Sequence, residues 1–130
     1  MERAMTILVV DDSLTIRHFL KLILLELFPE CSVVEAVDGK DALHRMTENK
    51  IDLIITDLEM GNHDGEDFLK KILSNKILKN KKIIIFSSQQ DFLIKFDIPL
   101  NENISFIDKA TAPNAIKKQI KEFYDGIEKS

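Results

Sequence analysis

Four short apolar runs constrain this 130-residue chain more than anything else in it: Ile7 to Val10, Leu53 to Ile55, Ile83 to Phe86, and Ile104 to Ile107, the last broken only by Ser105. They are rich in β-branched side chains and do not alternate with polar residues. That is how strands buried on both faces read. A fifth and weaker segment, Val33 to Ala36, carries Glu35.

Between these runs the apolar spacing changes to a helical period. Ile16, Leu20, Ile23 and Leu27 step by four, three and four, with Ser13 placed ahead of them as an N-cap. Asp38 is placed to cap a helix that turns Ala42, Leu43 and Met46 inward, and Asp64 to cap one that buries Phe68, Leu69, Ile72 and Leu73. Near the end, Thr111 stands as a cap, Pro113 falls in the first turn, and Ile116, Ile120, Phe123 and Ile127 form a stripe. Phe92, Leu93 and Phe96 indicate a short helix that Pro99 ends near Ile98. Strand and helix alternate five times. Parallel neighbours need crossovers, so the pattern predicts a doubly wound α/β fold: one parallel sheet of five strands with helices on both faces.

The length and charge narrow the class. A chain of 130 residues suits one domain, expected over 1–130 with no output domain. Lys and Arg total 18 against 22 for Asp and Glu, a formal net charge of −4, which argues against a dedicated nucleic-acid binder. No apolar run exceeds four residues, whereas a spanning helix needs roughly 20. With one cysteine there is no internal disulfide, and the expected location is the cytoplasm, away from membranes.

In an open parallel sheet, ligands bind outside the carboxyl ends of the strands. There the chain collects polar residues. The first strand runs into Asp11 and Asp12, the third into Asp57, the fourth into Ser87, and the fifth reaches Lys109. An aspartate after a strand is often a turn former. Five polar residues at successive strand ends are harder to explain that way, and Ser13 is a better cap than Asp12. Like charges about 4 Å apart repel by roughly 4 kcal/mol at an effective dielectric of ~20. Three clustered carboxylates therefore call for a cation beyond Lys109, and oxygen donors suit Mg²⁺. There is no Gly-rich phosphate loop, and His18, His44 and His63 lack metal-ligand spacing.

These residues resemble the receiver domain of two-component response regulators, of the stand-alone, chemotaxis type. The resemblance rests on Leu8-Val9-Val10-Asp11-Asp12-Ser13, on Asp38-Gly39 with Ala42-Leu43, on Asp52 to Met60 leading to Asp64-Gly65, on Ser87, and on Phe106-Ile107-Asp108-Lys109. It implies the flavodoxin-like strand order 2-1-3-4-5. It implies Asp57 as phosphoacceptor, and Mg²⁺ held by Asp11, Asp12, Asp57 and the backbone carbonyl of Glu59. Ser87 and Lys109 would contact the phosphoryl group, Phe106 would be the switch aromatic, and Glu59 and Gln89 would tune the lifetime of the acyl phosphate. The implied donor is a histidine kinase or phosphotransfer protein. The implied output is a protein partner at the face that includes Phe106 and the last helix.

The chain departs from the family pattern in places. Ala110 follows the lysine where Pro is usual, so a trans bond is expected there. Gly61 replaces the Pro after Met60, and Asn101-Glu102-Asn103 replaces a small-residue turn. Two other readings stand beside the main one. A receiver-fold adaptor would work without phosphorylation. A Mg²⁺-dependent phosphohydrolase would form an aspartyl phosphate, but the Asp-x-Asp such an enzyme would carry after the first strand is missing.

Overall fold

The computed structural model describes residues 4–61, 64–75, 78 and 81–129, with the side chains of residues 64 and 127–129 left aside. Strand and helix alternate throughout: β1 (Thr6–Val10), α1 (Leu14–Leu27), β2 (Ser32–Ala36), α2 (Gly39–Glu48), β3 (Leu53–Thr56), α3 (Asp64–Ser74), β4 (Lys82–Ser87), α4 (Asp91–Lys95), β5 (Ile104–Asp108) and α5 (Pro113–Lys129). All strand pairings are parallel and the order is β2-β1-β3-β4-β5, as expected.

Each central strand is buried on both faces because its apolar residues serve two cores in turn. Ile7 and Val9 join Leu53, Ile55, Ile84 and Phe86 in a layer closed by Leu20, Ile23 and Leu24 of α1 and by Ile116 and Ile120 of α5. Leu8 and Val10 join Ile54, Ile83 and Ile85 in the opposite layer, closed by Ala42 of α2 and by Phe68, Leu69 and Ile72 of α3. Fully burying one such side chain contributes about 1.5–3 kcal/mol, so a register slip in β1 would forfeit several of these at once. Strand β2 lies at the edge and is only partly covered, which accounts for its weaker signal and its tolerance of Glu35.

The caps agree with expectation at two helices and differ at others. Ser13 Oγ accepts the Ile16 N–H (3.3 Å), and Asp38 Oδ1 accepts the Asp41 N–H (2.7 Å). Asp64 is the first helical residue of α3, and its side chain lies outside the described residues. Thr111 is not the cap of α5. The first helical bond runs from the Ile116 N–H to the Ala112 carbonyl, which puts the cap position at Ala112.

Helix α4 stops before Pro99 is reached. Asp97 takes a left-handed backbone (φ 56°), its N–H donates to the Ile94 carbonyl, and the Ile98 N–H donates to the Leu93 carbonyl. This is a Schellman ending with aspartate where glycine is usual. No cis peptide occurs among the described residues, and Lys109–Ala110 is trans. Among those residues no helix is long and apolar enough to cross a membrane. His18 and His44 are exposed, and His63 lies outside the described residues.

Candidate functional site

The chain leaves β1 for β2 on one side and β3 for β4 on the other, so β1 and β3 flank the switch point of the sheet. A crevice forms there at the carboxyl ends. Val10 pairs with Thr56 across this gap, so the next residues, Asp11 and Asp57, emerge side by side. Both stay on the ladder: the Asp57 N–H donates to the Val10 carbonyl (3.0 Å), and the Asp11 N–H donates to the Ala36 carbonyl (3.1 Å). Backbone bonds thus hold two aspartates that are only 2% and 4% exposed.

Lys109 reaches them from β5, two strand spacings from β3, or about 10 Å. Its N–H donates to the Ser87 carbonyl (3.1 Å), and its long stem carries Nζ to Asp57 Oδ2 (2.7 Å) and Asp11 Oδ2 (2.9 Å). The other carboxylate oxygens are held by their own loops. Asp57 Oδ1 accepts the Glu59 N–H (3.1 Å), and Asp11 Oδ1 accepts the Ser13 N–H (2.9 Å).

One ammonium therefore serves two buried carboxylates. At about 4 Å and an effective dielectric of ~20, its two attractions of roughly 4 kcal/mol each outweigh one repulsion of similar size. The cluster holds together but keeps an excess negative charge. Burial raises the Asp11 pKa above the ordinary carboxylate value, against the lowering effect of Lys109 and the Ser13 N–H. Burial also works to lower the Lys109 pKa, but the hydrogen bonds to Asp57 and Asp11 outweigh it and hold the ammonium above its ordinary value.

The remaining expected residues surround this core. Asp12 is exposed in the same loop as Asp11. Ser87 is fully buried, and its hydroxyl accepts the Gln89 N–H (3.1 Å), which leaves its own proton available for donation. Glu59 is exposed and lines a cleft of about 340 Å³ together with Phe92 and Lys95 of α4 and with Phe96, the residue that caps that helix. Phe106 is half-buried and packs against the core layer beneath α3 and α4. Among the described residues, no three Asp, Glu, His or Cys side chains converge as a closed metal cage. The donor set nevertheless suits a hard divalent ion. All its donors are oxygens, it carries uncompensated negative charge, and Mg²⁺ is usually held by one or two carboxylates with water completing its shell.

Two contacts escape a reading of the sequence, one of them at a glycine quoted above only as part of a motif. Gly65, at the start of α3, lies against the loop that follows β3; a Cβ there would sit 2.5 Å from the Leu58 carbonyl oxygen and 2.6 Å from that of Asp57. Arg17 of α1 bridges the Asp11 carbonyl (Nη1, 2.8 Å) and Glu35 of β2 (Nε to Oε1, 3.1 Å). The one available signal was Glu35 itself, a charge within an apolar strand.

Comparison with known proteins agrees with this geometry. The family profile described as "Response regulator receiver domain" matches residues 7–121. The chain is 31% identical over 119 residues to the two-component response regulator-like protein APRR3 of Arabidopsis thaliana, covering 88% of this chain but 23% of that one. It is 32% identical over 89 residues to the chemotaxis protein CheY-3 of Vibrio cholerae, covering 68% of each. Among solved structures, the response regulator TrrA of Thermotoga maritima, in complex with Mg²⁺ and BeF, superposes with a TM-score of 0.72 at 27% identity. The match covers 92% of this chain and 98% of TrrA. A family profile that matches residues 7–121 and relatives above 30% identity lead to one conclusion: this chain belongs to the response regulator receiver domain family.

Proposed function

We propose that Asp57 accepts a phosphoryl group from a histidine kinase or phosphotransfer protein, and that the phosphorylated chain switches its binding to a protein partner. One observation carries this reading: Asp57 is a buried carboxylate at the switch point whose two oxygens are held by a backbone N–H and by the Lys109 ammonium. A carboxylate oxygen is itself a nucleophile, so Asp57 attacks without a general base. Its carboxylate oxygen forms the new bond to phosphorus as the bond to the donor breaks, and the donor's imidazole leaves with the electron pair. Lys109 then follows the transferred phosphoryl oxygens, and the Ser87 hydroxyl donates its proton toward another. Asp11, Asp12, Asp57 and the Glu59 carbonyl would hold a Mg²⁺, which would supply the charge that lets one anion approach another. Glu59 and Gln89 flank the site and bear on how fast the acyl phosphate is hydrolysed.

The output face of this reading includes Phe106 and α5. Phe106 pairs with Ile85 across β4 and β5, so a shift of the Ser87 loop reaches it through the ladder. The signal there is one of packing, because phenylalanine has no hydroxyl to offer. The reading places the protein in the cytoplasm, where ATP-fed phosphoryl donors are found. The test is incubation with Mg²⁺ and acetyl phosphate or phosphoramidate, followed by intact mass measurement. One added phosphoryl group is expected in the parent and none in Asp57→Asn. Label that persists in Asp57→Asn would contradict the assignment, and an unlabelled parent would favour a phosphorylation-independent adaptor.

A further inference from the structure

We propose that Arg17 and Glu35 form a clamp that sets the geometry of the acidic loop for cation binding, with Arg17 acting as a positioning residue; the inference rests on the phosphoacceptor reading above. The Arg17 side chain is 11% exposed and has two acceptors on two different elements, the Asp11 carbonyl and Glu35 Oε1. A guanidinium can serve both at once because its donors form a rigid planar fork. Glu35 is paired with Val9 in the sheet, so it offers a fixed anchor.

The Asp11 carbonyl belongs to the planar peptide that leads into Asp12. With the Arg17 contact in place, every polar group of Asp11 has a partner. Its N–H has the Ala36 carbonyl, its carbonyl has Arg17, and its two side-chain oxygens have the Ser13 N–H and Lys109. The orientation of the peptide from which Asp12 projects is therefore set by the guanidinium. Glu35 has a second task. A cation this close to Asp11 and Asp57 is drawn toward the carboxylates, where it would compete with a divalent ion, and the ion pair with Glu35 keeps it outside.

The clamp and simple charge make opposite predictions. If Arg17 acted only as a positive charge beside a cation site, removing it would tighten Mg²⁺ binding. If it positions the loop, removal loosens the ligands and weakens binding; loss of an outer-shell partner typically costs roughly 10- to 100-fold in metal affinity. The experiment is calorimetric titration of Mg²⁺ into metal-free parent, Arg17→Met and Arg17→Lys, with thermal unfolding in EDTA to verify that each is folded. Arg17→Met is expected to bind Mg²⁺ at least about tenfold more weakly than the parent. Arg17→Lys keeps the charge but loses the fork, so it is expected to fall between them, where charge alone predicts no change. If Arg17→Met does not fold, Arg17→Lys decides the matter by itself. Variants that bind Mg²⁺ as tightly as the parent, or more tightly, overturn the clamp while leaving the phosphoacceptor reading intact. A parent that takes up no Mg²⁺ overturns both.

Discussion

Replacing Gly65 with alanine tests how closely α3 is pressed onto the Asp57–Leu58 loop. The added Cβ would lie 2.5 Å from the Leu58 carbonyl oxygen, against the 3.4 Å at which ordinary contact begins, so about 0.9 Å must open. All three nearest atoms are main chain, at Leu58 and Asp57, and none is a side-chain end that could rotate away. Forcing an extra carbon into a packed site costs about 1–3 kcal/mol. Alanine regains up to ~1 kcal/mol of helix propensity, less in a first turn. The net loss should be about 1–2 kcal/mol, a factor of roughly 5–30 in the folded-to-unfolded ratio. The functional effect should be separable from this. A misplacement of about 1 Å at a reacting group can cost roughly 100-fold in rate, and if the loop takes half of the required shift, labelling of Asp57 should slow by about tenfold. Urea unfolding gives the first quantity, and the time course of phosphoryl incorporation from acetyl phosphate gives the second. A Gly65→Ala protein as stable as the parent and labelled at the parental rate would refute the reasoning.

Three further perturbations have signs set by the structure. A carboxyl whose folded pKa is raised, as burial raises that of Asp11, costs stability that is absent below the unfolded value of 3.8 and grows as pH rises through the folded one. Asp11→Asn should therefore raise the thermal midpoint at neutral pH in EDTA and lose that advantage when Mg²⁺ is added; a lower midpoint in EDTA would count against this. Asp97→Gly should stabilise the fold by up to ~1 kcal/mol in urea unfolding, because glycine meets no Cβ penalty at φ 56°; a measured loss of stability would show that the aspartate makes a compensating contact. Ser13→Ala should cost about 0.5–1 kcal/mol, at the low end for an N-cap because its bond to the Ile16 N–H is long at 3.3 Å. The Ser13 N–H that holds Asp11 is main chain and survives that change, so Mg²⁺ affinity should be nearly unaltered.

Much of the architecture was legible before any coordinates. The central strands announce themselves as non-alternating β-branched runs because burial on both faces is a local demand on composition, and Ser13 and Asp38 announce helix starts because capping is settled within three residues. The polar residues at the strand ends were legible for a related reason: a strand ends where its apolar run ends. What only the tertiary structure decided involves chain segments that meet from a distance. Lys109 lies 52 positions from Asp57, and Arg17 lies 18 from Glu35; their pairing depends on strand order, register and side-chain direction. The same holds for Gly65, whose missing Cβ matters only because α3 folds back over the Asp57–Leu58 peptide. Thr111 and Asp97 show the limit at short range. A competent cap at Thr111 was bypassed by one residue, and α4 closed on an aspartate ahead of Pro99, because the packing of these segments on the sheet outweighed the roughly 1 kcal/mol that local preference had to offer at each.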